Sequence, residues 1–195
     1  MMKSMEELKM IVQNRLASRK GNNRFSHILG VLEVAVEIAN AHHIDTTQAA
    51  VAALVHDATK YDPTIEHIGR ILRSFTPQHL QEWPRPLWHC LSAVDYAKFD
   101  LGIDDQDVLN AIQYHGPARK AMSPLEMLLY VADYAEPTRT FENQHIRLLA
   151  KKDLSKAMAL SLFEILKHER HLGHPLMSMT EEAFVYYQPY LEDIL

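Results

Sequence analysis

Ala52-Ala53-Leu54-Val55-His56-Asp57-Ala58-Thr59-Lys60 is the stretch from which the fold and the chemistry are both read. Its apolar run reads as a buried helix, and His56 and Asp57 sit side by side inside it. Left unpaired there, a polar group costs roughly 2–7 kcal/mol and a charge more. A metal ion removes that cost, because imidazole and carboxylate are both ligands. Lys60 follows His56 by four residues and Asp57 by three, a spacing that predicts the same helix face. The rest of the chain is then expected to supply the missing ligands and a pocket for phosphate.

Composition sets wide limits. The chain has 195 residues, enough to bury a full core in one domain, and 47% of them are hydrophobic. Only 6 are glycine, and no alternating, strand-like run of any length occurs. A formal charge of −5 argues against broad nucleic-acid binding. The single cysteine, Cys90, excludes an internal disulfide and suits a reducing compartment. No stretch reads as a signal peptide or a membrane span, so a cytoplasmic location without membrane contact is the expectation. A homodimer is left open.

Outward from the central stretch, helices are the only elements expected. Ser4-Met5-Glu6-Glu7 is a capping box for a first helix carrying Leu8, Ile11, Val12 and Leu16, which should stop near Lys20-Gly21-Asn22-Asn23. A second helix runs from Arg24 or Phe25 to about His43. Asp45 caps a third, with Gln48 at the boxed position, and this helix carries the central stretch and ends before Pro63. Ile65 to Phe75 is helical, Thr76-Pro77 starts another turn, and Leu87 to Phe99 is helical again with His89 in its first turn. Asp104-Asp105-Gln106-Asp107 opens a helix that Gly116-Pro117 ends, which puts His115 at its C-terminus. Ser123-Pro124-Leu125-Glu126 caps an apolar helix containing Asp133 and ending at Pro137. Helices over 143–150 and 154–171 follow, Gly173 closes the second, and Thr180 starts the last. The expectation is an all-α, compact, single-domain, multi-helix fold over 1–195.

Ionisable residues at helix ends or on apolar helix faces are His27, His56, Asp57, His89, His115 and Asp133. In this order they resemble the HD-domain metal-dependent phosphohydrolases over residues 24–140. More closely, Arg24-Phe25-Ser26-His27, Leu54 to Lys60, Ala111-Ile112-Gln113-Tyr114-His115 and Leu129 to Arg139 resemble the YqeK family of bacterial symmetrical bis(5'-nucleosyl)-tetraphosphatases. Gly173-His174-Pro175 and Tyr186-Tyr187 resemble that family's closing segment, so 141–195 is expected to add helices packed on an HD core.

The resemblance implies metal ligands at His27, His56, Asp57 and Asp133. It implies cleavage of diadenosine tetraphosphate to two ADP by metal-bound hydroxide attacking phosphorus. Iron is the cation first expected, with manganese or zinc also suited to such donors. His89 and His115 either hold a second ion bridged by Asp57 or donate hydrogen bonds to phosphate, so one or two ions remain open. Lys60, His89, His115 and Asp57 are the catalytic candidates. Arg24, Lys60, Arg119 and Arg139 are the phosphate-binding candidates, and Glu136 either anchors Arg139 or contacts ribose or base. Another HD phosphatase or phosphodiesterase, and a non-catalytic metal- and nucleotide-binding sensor, are the alternatives.

Two segments depart from the family pattern: Trp88-His89-Cys90-Leu91, where a His-Gly-Pro-like start is usual, and Gly116-Pro117-Ala118, where a Thr-Thr-Gly-like turn is usual. Cys90 itself reads as a small buried hydrophobe. The histidines outside the ordered set, His168 among them, read as surface or structural.

Overall fold

The computed structural model describes residues 3–19, 24–139 and 143–192, and among them every regular element is helical. The turn expected at residues 20–23 lies outside the described residues. Helix α1 (Met5–Ala17) starts with the Ser4–Glu7 capping box and buries Leu8, Val12 and Leu16. Helices α2 (Arg24–His42) and α3 (Thr46–Val55) form the centre, with α3 packed on α1, α2, α7 and α8. Ala49, Ala50, Ala52 and Ala53 are all buried, so α3 is covered on nearly every side, and its small side chains let its neighbours approach.

Helix α4 (Thr64–Ser74) packs against α6 (Trp88–Asp95), with a short α5 (His79–Glu82) between them. Helix α7 (Gln106–Tyr114) lies against α3, α6 and α8 (Pro124–Ala135). Helices α9 (Gln144–Ala150) and α10 (Leu154–His171) pack on α8, and α11 (Ser178–Tyr187) packs on α10. Gly173 takes φ +70° just past α10, a left-handed conformation that a side chain would disfavour. Among the described residues, no helix is long and apolar enough to cross a membrane.

The structure departs locally from the expected elements. Helix α3 ends at Val55, and His56 to Tyr61 continue as turns closed by Ala58 N to Val55 O and Lys60 N to Asp57 O bonds of 3.0 Å. The central pair therefore sits on a tightened helix end, not mid-helix. Asp45 does cap α3, but Gln48 reaches Asp105 Oδ2 at 2.7 Å instead of folding back. Thr76 is not a cap: α5 begins at His79 with Gln78 before it. The last helix starts at Ser178, two residues before Thr180.

The helix expected to reach Phe99 widens into a π turn over Tyr96–Asp100. That turn brings Asp95 and Asp100 to the same two guanidiniums, Arg70 Nη1 at 3.2 and 2.8 Å and Arg73 beside it. The Tyr96 ring lies under Arg15, 4.3 Å from its guanidinium carbon. A buried carboxylate such as Asp95 needs such partners, and a regular helix would have turned one of the two acids away.

Candidate metal centre

Five helix segments bring their ends or inner faces to one place. His27 comes from the first turn of α2, His56 and Asp57 from the end of α3, His89 from the start of α6, His115 from the end of α7, and Asp133 from the last turns of α8. His27, His56, Asp57, His89 and His115 are all buried, and Asp133 keeps 18% of its side chain exposed.

The imidazoles share one hydrogen-bonding scheme. His56 Nδ1 bonds Ala53 O at 2.7 Å, His89 Nδ1 bonds Pro86 O at 2.8 Å, and His115 Nδ1 bonds Ile112 O at 2.7 Å. His27 Nδ1 lies 3.0 Å from Glu136 Oε1. A carbonyl or carboxylate oxygen accepts, so each Nδ1 carries the proton and donates. When the ring is neutral, Nε2 is then a lone pair, and all four point inward. Burial pushes His56 well below its usual pKa, with the neighbouring His115 adding to the shift. Burial does the same to His89, with Lys60 next in effect. Burial also acts against a charge on His115, but the Cys90 sulfur and Asp133 outweigh it and push that ring up.

The inward atoms are close. His27 Nε2 is 3.0 Å from Asp133 Oδ1 and 3.8 Å from Asp57 Oδ2, and His56 Nε2 is 3.4 Å from Asp57 Oδ2. His89 Nε2 lies 3.2 Å from Asp57 Oδ1 and 3.2 Å from His115 Nε2. His27 Nε2, His56 Nε2 and Asp57 Oδ1 are buried without a hydrogen-bond partner. Lone pairs facing lone pairs at such distances repel unless a cation lies between them. The donor set, imidazole nitrogens and carboxylate oxygens, fits a transition-metal ion. Ligand atoms of His27, His56 and Asp57 fall within 4.8 Å of one another, as do those of His56, His115 and Asp133.

Three cations surround the carboxylates. Arg24 pairs closely with Asp57 Oδ2. Lys60 Nζ lies 3.0 Å from His89 Nε2 and 4.0 Å from Asp57 Oδ1. Arg139 Nη2 is 2.7 Å from Asp133 Oδ1 and also donates to Asp133 O at 2.8 Å. Desolvation lowers the pKa of both Arg24 and Lys60. Burial opposes the charge on Asp133, but contact with His27 and Arg139 offsets it and holds the carboxyl well below the usual range.

Arg119 is placed differently. Its Nε and Nη2 donate to Glu126 Oε1 and Oε2 at 2.8 and 3.0 Å, and its guanidinium lies over the Tyr114 ring. Its donor fork is taken up by a fully buried carboxylate. Glu136 is buried among neighbouring protein groups. It holds His27, accepts from Thr138 N at 2.7 Å and Thr138 Oγ1 at 2.8 Å, and sits 3.7 Å from Arg139 Nε.

Sequence reasoning missed two features. Cys90 Sγ lies 3.4 Å from His89 Nε2 and 3.8 Å from His115 Nε2, and adjacency to His89 was the only signal for it. A cleft of about 730 Å³ opens beside His115 and Asp133, lined also by Tyr130, Tyr134, Arg139, Glu164 and His168. The α10 residues that line it carry no motif. The two segments that depart from the family pattern lie against each other: a Cβ on Gly116 would come within 2.8 Å of Cys90 Sγ.

The chain is similar to known proteins over most of its length. A family model for the HD domain matches residues 24–138. The chain is 37% identical over 141 residues to a symmetrical bis(5'-nucleosyl)-tetraphosphatase of Bacillus subtilis, covering 72% of this chain and 76% of that protein. It is 35% identical to the enzyme of the same name from Halalkalibacterium halodurans, over 72% and 75% of the two chains. Among solved structures, a "predicted HD superfamily hydrolase involved in NAD metabolism" from Clostridium acetobutylicum superposes with a TM-score of 0.84 at 34% identity, covering 97% of this chain and 99% of that one.

Proposed function

This chain belongs to the HD-domain family, and from that membership we propose that it hydrolyses dinucleoside tetraphosphates symmetrically, converting diadenosine tetraphosphate and water to two ADP. The observation that carries the reading is the convergence of four inward Nε2 atoms on Asp57 and Asp133, in a chain that matches enzymes of this activity over most of its length.

His27, His56, Asp57 and Asp133 would hold the first cation, and iron suits that mixture of nitrogen and oxygen donors, with manganese or zinc next. When bound, the cation supplies Lewis acidity, making water acidic enough to attack at neutral pH and drawing charge from a phosphoryl oxygen. Every other task falls to the chain. Glu136 fixes the His27 ring. Lys60 and Arg139 face the charge that builds on the phosphate oxygens in the transition state, and Arg24 releases Asp57 to bind the flanking phosphates. His89 and His115 either donate to phosphate or take a second ion. The cleft beside His115 and Asp133 takes one nucleoside half, a volume in the range usual for ligand sites. Residues 24–140 carry the chemistry, while α10 from the following segment walls the cleft. A reducing cytoplasm suits a protein whose one cysteine is an unpaired thiol.

The test is product identification. Metal-loaded protein given diadenosine tetraphosphate in ¹⁸O-water should yield ADP alone, with the label in one ADP of each pair. ATP with AMP would overturn symmetrical cleavage. Tight nucleotide binding without turnover would favour a sensor.

A further inference from the structure

We propose that Cys90 is a metal ligand, forming with His89 and His115 a second cation position that selects a thiophilic ion of the zinc class. This rests on the reading of the cluster as a metal centre. It goes beyond that reading by assigning a sulfur donor to it.

The three donor atoms are spaced as one tetrahedral ion would space them. With Zn–N near 2.0–2.1 Å and Zn–S near 2.3 Å, tetrahedral angles put nitrogens about 3.3 Å apart and sulfur about 3.6 Å from each nitrogen. Here His89 Nε2 and His115 Nε2 are 3.2 Å apart, and Cys90 Sγ is 3.4 and 3.8 Å from them. Both rings are held by Nδ1 bonds to backbone carbonyls, so both lone pairs face the sulfur. Asp57 Oδ1, buried and without a hydrogen-bond partner, stands 3.2 Å from His89 Nε2 and 3.7 Å from His115 Nε2. It is an oxygen aimed at the same space.

Packing fixes the sulfur there. A Cβ on Gly116 would meet Cys90 Sγ at 2.8 Å and Leu87 Cδ2 at 2.9 Å, so only a glycine lets the backbone close over the thiol in this arrangement. Lys60 now fills the lone pair of His89 at 3.0 Å. Its side chain is 31% exposed and can swing out to solvent as the cation enters. The exchange balances without redox chemistry: a divalent ion binds, the Cys90 S–H proton leaves to solvent, and a sulfur–metal bond forms. His89, Cys90 and His115 give three protein donors, and Asp57 Oδ1 stands where a fourth would.

Cobalt(II) reports the donor directly. Metal-free protein titrated with Co²⁺ alone should develop visible d–d bands and, with the second equivalent, a near-ultraviolet sulfur-to-cobalt charge-transfer band. Cys90→Ser and Cys90→Ala should lose that band and keep the first equivalent. Wild-type protein loaded with zinc should show one sulfur at about 2.3 Å by X-ray absorption, a measurement that needs no variant. Cobalt uptake with visible bands but no sulfur band, or a band that survives Cys90→Ala, overturns the proposal and leaves the metal centre standing. No cobalt uptake at all overturns both.

Discussion

His27 Nδ1 donates to Glu136 Oε1 across 3.0 Å, although 109 residues separate the two in sequence. The bond joins the first turn of α2 to the end of α8, and it sets which nitrogen of His27 faces the cluster. Gly30, one turn along α2, makes room for it: a Cβ there would lie 2.5 Å from Glu136 Oε2. Glu136→Ala and Gly30→Ala should each weaken binding of Mn²⁺ about 10–100-fold, measured by calorimetric titration. Unchanged affinity in both variants, with stability alone reduced, would make Glu136 a packing residue.

His56→Ala and Asp57→Ala should remove bound metal and activity together, read by elemental analysis and ADP release. Lys60→Ala should behave otherwise, with metal content kept and turnover down by about 10²-fold, because its role is to face charge on phosphate. Normal metal content in purified His56→Ala protein would show the ligand assignment to be wrong.

Arg119→Ala tests a residue whose sequence and structure point in different directions. Its guanidinium neutralises Glu126, a fully buried carboxylate that also closes the α8 capping box. Removing it should cost about 1–3 kcal/mol in urea unfolding, because Glu126 loses its charged partner. KM for the dinucleotide should stay near the wild-type value. A raised KM with stability intact would return Arg119 to the substrate.

Tyr187 carries a pH-dependent share of stability. Its hydroxyl accepts from Met122 N at 2.9 Å, and burial pushes its pKa up to about 12. Tyr187→Phe leaves that N–H without its partner and should cost about 1–3 kcal/mol at pH 7. The folded pKa lies above the unfolded value near 10, so the unfolded chain ionises first. The hydroxyl's contribution is therefore whole below pH 10 and is lost as pH rises toward 12. The gap between wild type and variant should narrow across that window in denaturant titrations. A gap constant from pH 9 to 12 would contradict the burial argument.

The helices were legible where their ends carry their own chemistry. The Ser4–Glu7 and Ser123–Glu126 boxes form as their spacing demands, and the 154–171 helix starts and stops at the residues read for it. Gln48 fits the same local rules, yet Asp105, 57 residues on, takes its side chain, and competition across elements leaves no local trace, whereas the Thr76 hydroxyl meets the His79 ring only three residues ahead. The π turn after Asp95 has the same origin, since it is drawn by arginines on α4. At the centre, the ordered histidines and acids gave away the cluster because each is costly alone in an apolar setting. Cys90 is not costly there, so its place directly after His89 was all that marked it out. Glu136 was noticed, but its partner lay too far along the chain to be guessed.

Three of the inward imidazoles take their proton placement from a carbonyl three residues earlier in the same chain. Secondary structure thus writes the tautomer, with no dedicated side chain spent on the task. A helix end that frays would let its imidazole rotate and flip the proton to the wrong nitrogen, so loosening at the tip of α3 or α7 would silence the chemistry well before the molecule melts.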